Sequence, residues 1–269
     1  MKNDAARIGV DSNGYIRTVG EAPLQAAFVE VIDDLSTILR GQLGDLVHSA
    51  YLYGSVARAD AVAGRSDLDV VLVLASQPTL RDQMKIETAQ LDLEVRHPVV
   101  SKVDFDLGVL EDVLAPGNLY RWGFWLKHHC RCIYGNDLTC RFKPFRPSRK
   151  VARAVNGDFP RVLEGYARRI ETETDASITW RLVRECSKKV VRSTNVLRPT
   201  ESPNWPDSLA SHIALFVERY PKMTPEIAFF HSFIAVQVQE QPKVPVSEFV
   251  MRLRAFSAWM QEQATILTC

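Results

Sequence analysis

Residues 68–74 read LDVVLVL, a run whose one polar side chain is Asp69. A stretch this apolar and this rich in valine fits a strand buried on both faces. Such a strand demands layers of structure on either side of its sheet. It also begins with a carboxylate, and Asp67 stands two residues before Asp69. Side chains two apart on a strand point to the same face. Upstream, residues 48–53 read as another strand, ended by Gly54 and followed by Ser55 and Arg58. The link from 53 to 68 is too short for a crossover helix, so these two strands should pair antiparallel. Pro78 opens a helix that should run to about Arg96, before Pro98, and 102–109 is a third strand. A strand, a long helix and a strand predict a right-handed crossover and parallel pairing.

The elements around this centre are more ordinary. Leu24, Phe28, Val31, Leu35 and Ile38 form one apolar stripe of a helix over 23–43. Asn13-Gly14 marks a small hairpin or an ordered arm. Residues 119–130 look helical, and "IYGNDL" at 133–138 reads as a turn. The basic, proline-containing stretch 141–150 reads as a linker. Beyond it the pattern is helical, with helices expected at 148–173, 175–197, 207–220, 224–239 and 246–266. The predicted fold class is α/β, a small mixed sheet backed by helices, followed by an all-α domain. The predicted boundaries are 1–140 and 141–269.

Bulk properties narrow the function. With 269 residues and 46% hydrophobic content the chain can bury a core without disulfides or a metal staple. A formal net charge of +1 gives no hint of an extended nucleic-acid surface. The five cysteines do not form a secreted-type framework. Cys130, Cys132 and Cys140 lie near His128 and His129, but their spacing matches no zinc knuckle, and they are read as packed or idle thiols. No secretory leader or membrane span is visible, so a cytoplasmic location is expected.

The chemistry gathers around Gly54 and the two aspartates. Glycine lets the backbone turn sharply and approach a ligand closely. Ser55 and the amides after it can donate to phosphate oxygens, and Arg58 adds a planar cation suited to phosphate. Two carboxylates on one face repel, and a divalent cation offsets that repulsion. Hard oxygen donors with open positions suit magnesium shared with substrate phosphates. A third carboxylate should come from the neighbouring strand. Asp104 is preferred because a parallel pairing places it level with Asp69, and Asp106 is the alternative.

Gly54-Ser55, Arg58 and Ser66-Asp67-Leu68-Asp69, with a later carboxylate strand, resemble the signature of the polymerase-β-like nucleotidyltransferase superfamily. The "IYGNDL" segment and the helical remainder resemble, more loosely, the bacterial aminoglycoside-type adenylyltransferases. The resemblance implies a nucleoside triphosphate, with ATP the first choice, two magnesium ions, and Asp67, Asp69 and Asp104 as catalytic metal ligands. It implies Gly54, Ser55, Arg58 and Ser66 as nucleotide-binding residues, although Ser66 is read first as a cap of its own turn. The expected reaction moves a nucleoside monophosphate to an acceptor hydroxyl, with a small molecule such as an antibiotic preferred. A protein or RNA acceptor, as in toxin–antitoxin nucleotidyltransferases, and a non-catalytic nucleotide-binding module are the alternatives.

The helical part offers fewer candidates. Arg181, Arg184 and Lys188 share a helix face and either reach the triphosphate or form a solvated basic face. Lys188 is counted with the nucleotide-binding set. Glu185 could activate an acceptor. Trp122, Phe124 and Trp125 are read as core before stacking surfaces, His128 and His129 as packing residues, and Asp60 as surface.

Overall fold

The computed structural model describes residues 8–20, 22–235 and 244–267. In chain order the sheet unit contains α1 (Ala26–Gly41), β1 (Val47–Tyr53), α2 (Gly54–Ala57), β2 (Leu68–Leu74), α3 (Leu80–Arg96), β3 (Val103–Val109), α4 (Leu110–Leu114), a π-turn at Leu119–Gly123, α5 (Phe124–His129) and β4 (Arg131–Gly135). The strands lie in the order β3-β2-β1-β4. β1 runs antiparallel to β2 and β4, and β2 runs parallel to β3. The expected mixed sheet is present, with β4 added at one edge where the sequence reading saw only a turn.

The two faces of the sheet differ. Ala50, Leu52, Leu68, Val70, Leu72, Leu74 and Val103 face one way, against the apolar sides of α1 and α3. The α1 stripe closes this core with Phe28, Val31, Leu35 and Leu39. α3 is fixed at its start by a capping box between Thr79 and Asp82. The opposite face carries Tyr51, Val71 and Val73, packed on Trp122, Leu126, Cys130, Leu138 and Phe142. Alternation along β2 puts Asp69 on this second face, at the end where the aromatic cover stops.

The helical unit comprises α6 (Arg149–Asn156), α7 (Phe159–Thr172), α8 (Ala176–Ser193) with a 3-10 turn at Thr194–Leu197, α9 (Leu209–Arg219), α10 (Thr224–Ala235) and α11 (Val246–Ile266). The single helix expected over 148–173 is two, because Gly157 ends α6 and Pro160 sits in the first turn of α7. Residues 236–239, at the end of the expected 224–239 helix, lie outside the described residues. The core is aromatic: Phe216, Phe230, Phe233, Phe249 and Phe256 interlock mostly edge to face.

The chain divides into Ile16–Phe145 and a second unit of Met1–Tyr15 with Arg146–Cys269. The N-terminal segment, which the sequence reading grouped with the first domain (1–140), belongs to the helical unit. The Ile8 amide donates to Asn204 Oδ1 at 3.1 Å and the Trp205 amide to the Ile8 carbonyl at 2.9 Å. Asn13-Gly14 forms a tight turn closed by Asp11, whose Oδ1 accepts from the Asn13 and Tyr15 amides at 2.9 Å each. Among the described residues no helix is long and apolar enough to cross a membrane.

Candidate active site

β1 ends at Tyr53 and the chain turns at Gly54 with φ +69°. Tyr53 is the cross-strand partner of Asp69. The turn therefore delivers the Gly54 backbone onto the Asp69 carboxylate. A Cβ placed on Gly54 would stand 2.0 Å from Asp69 Oδ2. Both the positive φ and this contact require glycine. α2 then begins, and the first N–H groups of a helix have no acceptor within it. Ser55 stands in this first turn, and its carbonyl accepts from the Asp60 amide at 3.1 Å.

β2 and β3 run in register, with Leu68 opposite Val103 and Asp69 opposite Asp104. The third carboxylate preferred from the sequence is thus level with Asp69, while Asp106 lies one pleat further, opposite Val71. Burial pushes the Asp69 carboxyl up to about 7, and the negative charges of Asp67, Asp104 and Asp106 add to the rise, opposed by Arg58. The other three carboxylates are therefore close enough to be felt at Asp69. This is the arrangement that a cation relieves.

Each of the other carboxylates has a partner that the sequence reading missed. The Ser101 hydroxyl donates to Asp67 Oδ1, Lys102 Nζ pairs with Asp104 Oδ1, and the Tyr53 hydroxyl donates to Asp106 Oδ2. Burial and the Asp106 hydrogen bond hold the Tyr53 phenol well above its usual range. Its ring meets Trp125 edge to face at 5.0 Å, and Trp125 stacks on the buried Trp122 at 5.4 Å. Alternation could have revealed Tyr53, which shares the sheet face of Asp69, its cross-strand partner. Nothing in the spacing of Ser101 and Lys102 singles them out from ordinary loop residues.

The loop before β2 is stitched in place. Gln25 exchanges two 3.0 Å hydrogen bonds with the Ala61 backbone, and the Gly64 amide donates to the Val99 carbonyl at 2.7 Å. Ser66 Oγ accepts from the Val62 amide at 2.8 Å, so its hydroxyl is engaged in the turn. Arg58 reaches Asp60 with its Nε at 3.1 Å from Oδ2. His128 is buried: its Nε2 accepts from the Phe145 amide at 2.9 Å and its Nδ1 faces the Arg17 carbonyl at 3.3 Å. Phe124 is buried, Cys130 packs in the aromatic cluster, and burial raises its thiol. Lys188 and Glu185 lie on α8 of the helical unit, where Lys188 Nζ donates to Glu185 Oε1 at 2.9 Å.

As the side chains stand, no group of three His, Cys, Asp or Glu among the described residues is gathered to hold a metal ion. Asp67 and Asp104 are turned to Ser101 and Lys102. The donor set is nonetheless of the kind a hard cation takes, all carboxylate oxygen on one face.

Residues 32–121, from within α1 to the π-turn, match the family model described as a nucleotidyltransferase domain. The chain carries a nucleotidyltransferase domain. That domain contains the glycine turn and all four carboxylates. No curated protein is significantly similar to the chain in sequence. Among solved structures, its fold is similar to that of spectinomycin adenyltransferase AAD(9) from Enterococcus faecialis, crystallised with ATP and spectinomycin. The TM-score is 0.50 at 13% identity, and the similarity covers 88% of this chain and 98% of that one. The match spans an α/β sheet with a helical remainder, the class read from the sequence.

Proposed function

We propose that the nucleotidyltransferase domain moves AMP from ATP to a hydroxyl of a small-molecule acceptor, with magnesium held at the carboxylates. The observation that carries this reading is the register of Asp69 and Asp104 beside the Gly54 turn. The ATP and spectinomycin of the fold neighbour are the reason for choosing adenylyl transfer to a small molecule first.

The roles follow from chemistry at each position. Gly54 lets the triphosphate approach the backbone, and Ser55 with the following amides donates to its phosphate oxygens. Arg58, more than half exposed, can turn from Asp60 to the phosphates. Ser66 keeps the loop shaped, through Val62, so that Asp67 enters beside Asp69. Asp67 and Asp69 are the metal ligands, and Asp104, level with Asp69 across the parallel pair, completes the set in preference to Asp106. When bound, magnesium would neutralise charge on the phosphates and lower the pKa of the acceptor hydroxyl. Two ions are the number that the family resemblance implies. The alternative role for Asp104, released from Lys102, is to accept the hydroxyl proton directly in place of ligating the metal. Lys188 is assigned to the triphosphate from the helical unit and must leave Glu185 to serve it.

The test uses ATP labelled in its α-phosphate, magnesium, and panels of antibiotics, cell-extract metabolites, protein and RNA. Label should move to a small molecule with release of pyrophosphate, and Asp69→Asn should abolish it. Label on a protein or RNA instead would replace the acceptor class. Nucleotide binding without pyrophosphate release from any triphosphate would leave only the regulatory module.

A further inference from the structure

α3 is apolar on two sides. Ile86, Ala89 and Leu93 turn inward and are buried. Leu80, Met84, Leu91 and Val95 are 80, 66, 59 and 84% exposed. On a helix of 3.6 residues per turn these four fall on one stripe, centred opposite the buried row. A surface helix ordinarily carries charged and polar side chains on that side. A contiguous apolar stripe there marks a contact with another molecule.

The spacing of the stripe says what covers it. Its four residues are separated by four, seven and four positions, a series that reads the same in both directions about a midpoint between Glu87 and Thr88. A two-fold axis crossing the helix at that midpoint lays a second α3 antiparallel to the first. Leu80 then meets Val95 of the other copy, and Met84 meets its Leu91, each contact made twice. An isologous interface requires this self-complementarity, whereas an unrelated partner sets no condition on the symmetry of the stripe. The charges on one flank agree. Arg81, Lys85 and Asp92 are exposed there, and an antiparallel two-fold keeps like flanks together. The reversed register brings Asp92 of one copy level with Gln83 of the other, between Arg81 and Lys85. Within its own chain Lys85 reaches only Asp82, at 3.9 Å, and Arg81 and Asp92 enter no ion pair among the described residues. The opposite flank carries Glu87, and its two copies meet near the axis, which opposes the pairing. A parallel pairing would instead bring Glu87 beside Lys85 of the other copy.

We infer that two copies of this chain associate through α3, antiparallel about a two-fold axis between Glu87 and Thr88. A helix contact of this length buries on the order of 1,000 Å² in total, the low end for a specific interface, so the dimer is weak, with a Kd of ~1–100 µM. The inference stands apart from the transferase reading, because association is measured with no nucleotide or magnesium present.

The experiment is sedimentation velocity of the full chain over about 1–300 µM, where a monomer–dimer equilibrium should appear. Leu91→Glu and Met84→Glu, at exposed positions, should each weaken it by ~10-fold or more while circular dichroism stays that of wild type. Asp92→Arg should weaken it by roughly 3–10-fold, and adding Arg81→Glu should restore part of the loss. Glu87→Gln, which removes the like charges near the axis, should tighten it by about 2–5-fold. A chain that stays monomeric throughout overturns the inference. A dimer that Leu91→Glu leaves intact uses another face and overturns it too. Weakening by Glu87→Gln does the same, because it marks the parallel pairing.

Discussion

The corner of the sheet around Asp69 and the seam between α7 and α11 treat charge in opposite ways. At the seam Arg254 is held by Glu164 and Glu171, with four contacts between 2.7 and 3.1 Å. Arg252 likewise pairs with Glu226 at 2.9 Å and lies over the Phe229 ring. Both of these cations have their anions. At the corner four carboxylates approach each other, and one is pushed up to about 7. Folding alone favours the first pattern and resists the second. The corner is therefore the part of the molecule whose charge arrangement costs stability, which fits the metal site proposed there.

The sharpest break of this contrast is Asp69→Asn. Turnover should fall by about 10³-fold or more, as for loss of a group that organises transition-state charge. Stability should move the other way. A carboxyl with its folded-state pKa raised from 3.8 to about 7 binds more protons in the folded than in the unfolded chain between those values. Wild-type stability attributable to Asp69 therefore falls as pH rises from about 4 to about 7 and stays low above. The full difference corresponds to ~4 kcal/mol, and partial solvation discounts it to on the order of 2 kcal/mol. Thermal melts of Asp69→Asn at pH 8 should lie above wild type, and the gap should close near pH 4. A variant less stable than wild type at pH 8 would mean that the corner is a structural feature after all.

Gly54→Ala comes next. The methyl would meet Asp69 Oδ2 in a backbone conformation that L residues rarely adopt. Turnover should drop by roughly 100-fold and stability by about 1–3 kcal/mol, read by kinetics and chemical denaturation. Lys102→Met removes the cation that now partners Asp104. The half-saturating magnesium concentration for turnover should fall by about 2–3-fold, a modest effect because exposed pairs are weak. Smallest of all is Arg254→Ala. Its carboxylate partners are surface groups, so nucleotide turnover should be unchanged and the melting temperature should shift least of the four. A large loss of turnover there would show that the seam, too, serves catalysis.

Much of the sheet unit could be read before any coordinates. The apolar run at 68–74 and the lengths of the two links set both strand directions, and those directions set Asp104 level with Asp69. The failures have physical reasons. β4 is five residues, half-buried at most, on an edge, so it lacks the apolar signature that made β2 plain. Gly135, with φ +74°, gave its segment the look of a turn, which it is only at its end. The break between α6 and α7 was written in Gly157 and Pro160, but the apolar period runs through it. The partners of the carboxylates were hidden because a serine and a lysine before a strand carry no distinctive pattern.

The grouping of the N-terminal segment with the helices has a practical consequence. The sheet unit is an insertion within another body, and Ile16 and Phe145, where the chain enters and leaves it, are hydrogen-bonded at 2.8 Å. A fragment cut after Phe145 alone would drag an orphaned leader that has lost Trp205 and Asn204, whereas excising 16–145 leaves two ends lying side by side. Those neighbouring ends make the sheet unit a natural candidate for cyclisation or transplantation, and make a truncation at residue 1–15 an injury to the helices.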